Sequence, residues 1–171
     1  MNKAQTEAYK RWVDLETRGE ASCRTHARLA RAADQRAKWT MLAELERTTR
    51  EALVHDLRAN GVTVDESAEK RREGEVFAEQ AASVPWLDAM ARLRPRILFY
   101  VDELRATVSA APAGRRALAS RLLEHEEAWL AFVDRELAGE SETSIEPVRA
   151  HLEKWRSRDG EFSSDVSAPV R

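Results

Sequence analysis

The sequence predicts an all-α protein, a four-helix bundle of two hairpins joined by a long crossover, and three observations predict it. Hydrophobic residues make up 43% and charged residues 34% of the 171 positions, with only six Gly and five Pro, a balance that suits long amphipathic helices better than sheets with many turns. Apolar and small residues recur at alternating steps of three and four through four long stretches, which is the signature of helices with one buried face. The first and third links between these stretches are short and the middle one is long, so the second and third helices run parallel and the link must travel the bundle length. A single domain over 1–156 with a flexible tail over 157–171 is expected, because a chain of this length can bury a continuous core without disulfides or a structural metal.

The first helix spans about residues 5 to 33, with Trp12, Leu15, Gly19, Ser22, His26, Leu29 and Ala33 on one face. A short polar turn near Asp34 leads to the second, whose face carries Trp39, Leu42, Glu46, Thr49, Leu53 and Leu57. Asn60-Gly61 ends it, since both residues tolerate the left-handed conformation that closes a helix. Residues 61–83 form the long link, with an extended Val62-Thr-Val64 and then a charged helical piece containing Val76 and Phe77. The third long helix starts near Ser83-Val-Pro85, a cap residue followed by a first-turn proline, and presents Trp86, Met90, Leu93, Ile97, Tyr100, Leu104 and Val108. Pro95 inside it is expected to kink or split it.

Ala111-Pro-Ala-Gly114 connects tightly to the fourth long helix, with Leu118, Leu122, His125, Glu126, Trp129, Phe132, Val133 and Leu137 inward and Gly139 as its stop. A turn or two of amphipathic helix, carrying Ile145, Val148, Leu152 and Trp155, forms a short fifth helix. Trp12-Val-Asp14 echoes Trp86-Leu-Asp88, and Leu29-Ala-Arg-Ala32 echoes Leu104-Arg-Ala106, a faint likeness between the two hairpins.

Charge and motifs narrow the function classes. A net charge of −2 gives no electrostatic argument for nucleic acid or for an anionic membrane, and runs such as Glu69-Lys-Arg-Arg-Glu73 read as a solvated helix face. The lone Cys23 excludes an intramolecular disulfide and reads as a small buried hydrophobe. The first residues lack the apolar stretch of a signal peptide, and no segment approaches the roughly 20 apolar residues of a membrane span, so a cytoplasmic protein is expected. There is no Gly-rich phosphate loop, no Cys-x-x-Cys, no His-Glu-x-x-His and no Gly-x-Ser-x-Gly, which argues against familiar hydrolases and nucleotide enzymes.

The chemistry-bearing residues share one level of the bundle. Carboxylates on a core face need a partner, because burying an unpaired charge costs several kcal/mol, on the order of 3–5. Glu46 and Glu126 are such carboxylates. Counting about 1.5 Å per residue back from each turn brings His26 near Glu46 and Tyr100 near His125 and Glu126. A polar cluster of His26, Glu46, Thr49, Tyr100, His125 and Glu126 follows, with Trp129 beside it and either Glu16 or Glu20 reaching in. Trp39, Trp86, Trp129 and Tyr100 otherwise read as core aromatics whose polar tips find a hydrogen bond.

Trp39-Thr-Met-Leu-Ala-Glu-Leu-Glu46-Arg-Thr-Thr49 resembles the second helix of the ferritin-like superfamily, and Leu122 to Leu137 is similar to its fourth helix. The latter also looks like uncharacterised bacterial ferritin-like proteins with a His-Glu pair there. The resemblance implies Glu46 and Glu126 as bridging carboxylates and Glu16 or Glu20 as the first-helix ligand. It breaks at Thr49 and Trp129, which hold the histidine positions of the two Glu-x-x-His motifs, and on the third helix, where Arg96 and Ile97 stand at the depth of a carboxylate while Asp102 and Glu103 lie a turn or more away. Three of the six ligands that the resemblance calls for are therefore missing.

The expectation is a ferritin-like protein without a standard di-iron centre or other cofactor, a binding or assembly protein whose polar cluster accepts a small organic ligand and which can form a homodimer. The alternative is an iron or manganese oxidoreductase with a rearranged site of Glu20, Glu46, Glu126, His26 and His125. A third reading is a metal-free enzyme using His125 or His26 as general base.

Overall fold

The computed structural model describes residues 3–65 and 67–164, with side chains as far as Ser157. Six helices account for nearly all of it: α1 (Lys3–Leu29), α2 (Ala33–Ala59), α3 (Ala68–Ala81), α4 (Trp86–Ala110), α5 (Ala113–Leu137) and α6 (Glu146–Ser164). The described chain is all-α. None of its helices is long and apolar enough to cross a membrane.

Local sequence explains where the helices stop. Asn60 caps α2 with its N–H directed to Asp56 and Leu57 carbonyls, and Gly61 at φ 73° lets the Val62 N–H return to the Leu57 carbonyl. Gly139 at φ 81° closes α5 in the same way, with Glu140 N–H bonded to the Arg135 carbonyl. The Ser67 hydroxyl accepts the Lys70 N–H and starts α3.

Several boundaries differ from the sequence reading. The first turn is Ala30-Arg31-Ala32, so Ala33 and Asp34 open α2, where Asp34 meets the positive end of the helix dipole. Pro85, not Ser83, sits at the N-cap position of α4. The link to α5 is only Ala111-Pro112, so Gly114 lies within the helix. Pro95 does not split α4, because Pro95 and Ala91, whose carbonyl loses its donor, both face solvent. The last helix is no short turn: α6 has 19 residues and runs past 156, and residues 165–171 of the expected tail lie outside the described ones.

Helix α1 packs along both α2 and α3, α4 packs along α5, and α6 lies against α5 and α2, which also touch each other. The close approach of α3 to α1 depends on Gly74, where a Cβ would lie 2.2 Å from the Arg18 carbonyl oxygen. The apolar core divides in two. At one end Trp39, Leu42, Leu45, Met90, Phe132 and Val133 pack with Val148 and Leu152 of α6; at the other, Tyr9, Trp12, Leu53, Leu57, Leu104 and Leu122 pack together. Between the clusters on each of α1, α2 and α5 lies a polar step: Glu16 and Thr17, Glu46 and Thr49, His125 and Glu126, all buried.

Candidate functional site

Glu16, Glu46 and Glu126 are 2%, 7% and 8% exposed, and all three line a cavity of about 610 Å³ between α1, α3 and α4. The cavity is floored by α2 and α5. Its walls are largely apolar, with Trp39, Phe77, Leu93, Ile97 and Trp129 among them. Arg92 and Arg96, exposed on α4, stand at its edge.

Burial and ion pairing decide which α1 carboxylate belongs to this layer. Glu16 is the buried one. Glu20 is held away by Arg50 at 3.1 Å and Arg24 at 2.8 Å, so of the two expected candidates Glu16 lies in this layer and Glu20 does not. One turn along from Glu16, Gly19 faces Glu46 so closely that a Cβ there would lie 2.2 Å from Glu46 Oε2. The glycine thus makes room for the carboxyl, a role that an apolar periodicity count cannot see.

The two residues at the histidine positions have other partners. Trp129 Nε1–H donates to Glu46 Oε1 at 2.8 Å, and Thr49 Oγ1 lies 2.9 Å from His125 Nδ1. A neutral His125 that accepts the Thr49 hydroxyl carries its proton on Nε2, which faces Glu16 Oε2 at 3.6 Å and Glu46 Oε1 at 3.8 Å. Both distances are too long for hydrogen bonds. Glu16 Oε2 has no hydrogen-bond partner, and Glu126 makes no hydrogen bond or ion pair among the described residues.

Electrostatics agree that the layer is close to neutral. Burial pushes Glu46 up to about 7, against the hydrogen bonds from Glu16 and Trp129 and the nearby Arg96 charge. Burial also raises Glu16 well above the usual carboxyl range, helped by the charges of Glu46 and Glu126, and raises Glu126 with help from Glu46. His125 is pushed well down by burial and by His151 and Arg121. With its imidazole pushed down in this way His125 is uncharged at neutral pH, so its contacts with the carboxyls are not ion pairs.

The other expected members lie around the layer without entering it. His26 stacks on Trp39 with ring centroids 4.4 Å apart, and burial lowers it to about 4. It lines the cavity seven residues, about 10 Å, beyond Gly19. Tyr100 also lines the cavity, edge-on to Trp12 at 5.6 Å. His125 does not line it, so the carboxyls screen the imidazole from anything bound there. Cys23 is buried in the wall, and burial raises its thiol well above its usual range, with Glu46, Glu16 and Glu20 adding to the shift.

Sequence reasoning missed His151, whose ring meets His125 edge-on at 6.4 Å, and the buried Arg121, which lies 4.6 Å over Trp155. It also missed a fourth buried carboxyl group, at a separate place on α5. Glu136 accepts from Lys38 Nζ at 2.5 Å, from Trp86 Nε1–H at 2.7 Å, and from Ser141 and Ser144.

For a metal, the available donors are Glu16, Glu46 and His125, whose ligand atoms all lie within 4.8 Å of one another. A pair of metal ions fits poorly. The Trp129 N–H points at Glu46 where a second imidazole would donate its lone pair, and α4 offers Arg96, a cation, at that depth. Of the expected metal set, His26, Glu20 and Glu126 are not among the clustered donors. The molecule is thus an all-helical protein whose three neighbouring buried carboxyls floor an amphiphilic cavity. The chain matches no family model, no curated protein and no solved structure.

Proposed function

We propose that this protein is a ferritin-like bundle that works as a binding protein for a small organic ligand, held in the cavity between α1, α3 and α4. The fold part of this reading is supported by the pairing of α1 with α2 and α4 with α5, by the crossover that contains α3, and by glutamates at one level of α1, α2 and α5. The function part rests on one observation. A cavity of about 610 Å³ lies within the usual 300–1,000 Å³ range for ligand pockets and carries the few convergent polar groups on apolar walls that such pockets share.

The test is a fragment screen followed through the indole N–H signals of Trp39 and Trp129. Fragments are expected to shift both signals in the native protein, and Ile97→Trp, which puts a bulky ring into the cavity wall, is expected to weaken the response. A screen with no shifts, or shifts unchanged by Ile97→Trp, would contradict the reading.

A second reading, a carboxylate metal oxidoreductase, is favoured by the Glu16–Glu46–His125 donor set. These residues would bind one iron or manganese ion by two carboxylates and an imidazole, and the metal would supply dioxygen or peroxide chemistry. Binding requires Glu16 and Glu46 to lose their protons, so affinity rises with pH through about 7. Elemental analysis of protein purified without tags or chelators decides it: at least half an equivalent of metal, lost in Glu16→Gln, supports this reading, and under a tenth counts against it.

A further inference from the structure

Three carboxyls share the floor of the cavity, and the protein leaves their polar atoms incompletely used. Glu126 is nine-tenths buried and makes no hydrogen bond or ion pair among the described residues, and Glu16 Oε2 is buried without a partner. Only Glu46 is held by a donor of definite geometry, the Trp129 indole at 2.8 Å. Buried carboxyls normally find donors inside the fold, so Glu126, which lines the cavity without one, marks a place where a donor arrives from outside.

Taking the ligand-binding reading above as its basis, we propose that the cavity accepts a molecule with a protonated amine head on an apolar body, the ammonium seated among Glu16, Glu46 and Glu126. An ammonium offers three N–H donors and no acceptor, matching acceptors on three helices. A carboxylate or phosphate head would bring a further negative charge against carboxyls that already resist ionisation beside one another. A bare inorganic cation would leave most of the 610 Å³ empty, and a polyamine would set its further charges against Phe77, Leu93, Ile97 and Trp39. The body is therefore apolar. Aromatic rings in the wall, Trp39 and Trp129, add a favourable surface for a cation.

Binding should be linked to proton release. The groups facing Glu46 are Glu16, Glu20 and Cys23 from α1, Arg96 from α4, and His125, Glu126 and Trp129 from α5. With His125 neutral, the arriving ammonium is the strongest change in that field, and it favours the ionised carboxyls. Amine affinity thus rises from pH 6 to pH 8 while a proton leaves.

Isothermal titration of the full chain with octylamine, octanol and octanoate, each below its aggregation limit, isolates the head group because the tail is constant. The expected result at pH 7.5, a test condition set at about the titration range of Glu46, is octylamine binding at least tenfold tighter than octanol, octanoate weakest, and a proton released to buffer. Glu126→Gln should cut octylamine affinity about tenfold and leave octanol within about twofold, and Glu16→Gln provides the same comparison where the first variant folds poorly. Octanol equal to octylamine, octanoate equal or tighter, or octylamine unaffected by both variants would overturn the amine assignment while leaving a ligand cavity. If none of the three binds while fragments still shift Trp129, the amine assignment fails alone; if neither occurs, the ligand-binding reading fails with it.

Discussion

Helix α5 carries two buried glutamates ten residues apart, Glu126 and Glu136, and they solve the same problem in opposite ways. Glu136 is ionised and surrounded. Burial pushes its carboxyl up, but hydrogen bonds from Lys38, Ser144 and Trp86 outweigh that and bring it below its ordinary value. Those donors come from the start of α2, the start of α4 and the turn after α5, so the carboxylate ties four parts of the chain together. Glu126 has no such donors. Burial and the charge of Glu46 outweigh the nearby Arg96, so it holds its proton to higher pH, and the residue lines a cavity. A buried carboxylate with donors fixes a fold, whereas one without them is where we propose that a ligand supplies them.

Breaking the Glu136 site should cost most. Lys38→Met leaves a carboxylate buried with only neutral donors, and a loss of about 3–5 kcal/mol is expected by denaturant unfolding at pH 7. The Glu126 layer should behave differently. Glu46→Gln removes a carboxyl that the fold would rather keep protonated, so the variant gains stability relative to the native protein as pH rises.

The sign follows from linkage. A carboxyl whose folded value, about 7, exceeds its ordinary one binds more protons folded than unfolded between about 4.5 and 7, so native stability falls with rising pH across that window. Glu46→Gln and the native protein should match near pH 4.5 and separate by on the order of 3 kcal/mol by pH 8, the variant being the more stable. His125 acts oppositely. Its folded value lies below its ordinary 6.5, so the unfolded chain takes up the proton first and stability falls as pH drops below about 6.5.

Smaller effects sharpen the contrast. Gly74→Ala forces α3 off the rigid Arg18 carbonyl, at about 1–3 kcal/mol, and should weaken ligand-induced Trp39 shifts because Phe77 of α3 forms part of the wall. Thr49→Val removes the partner of His125 Nδ1 and should lower stability by about 1 kcal/mol, with a change in the His125 ring signals by NMR.

The two sites were unequally legible in the sequence. Glu46, Thr49, His125, Glu126 and Trp129 could be placed on one level because each lies inside a strongly periodic helix between short turns, so counting residues fixes height. Choosing between Glu16 and Glu20 was beyond that method: they are one turn apart on neighbouring faces, and Arg50 across on α2 draws Glu20 away. The Lys38–Glu136 pair had no local signal, since its members are 98 residues apart and Lys38 sits near a helix start where a lysine reads as solvent-facing. Gly74, a glycine within a charged helical run, was the available clue that α3 packs tightly on α1.

The central claim is that one bundle holds two classes of buried glutamate, and carboxyl carbon NMR of glutamate-labelled protein titrated from pH 3 to 9, a range chosen to span about all carboxyl values, reads both classes together. The predicted result is a Glu46 transition near pH 7, Glu16 and Glu126 well above the ordinary carboxyl range, and Glu136 below it. Four superimposable transitions near the ordinary value of 4.5 would contradict it.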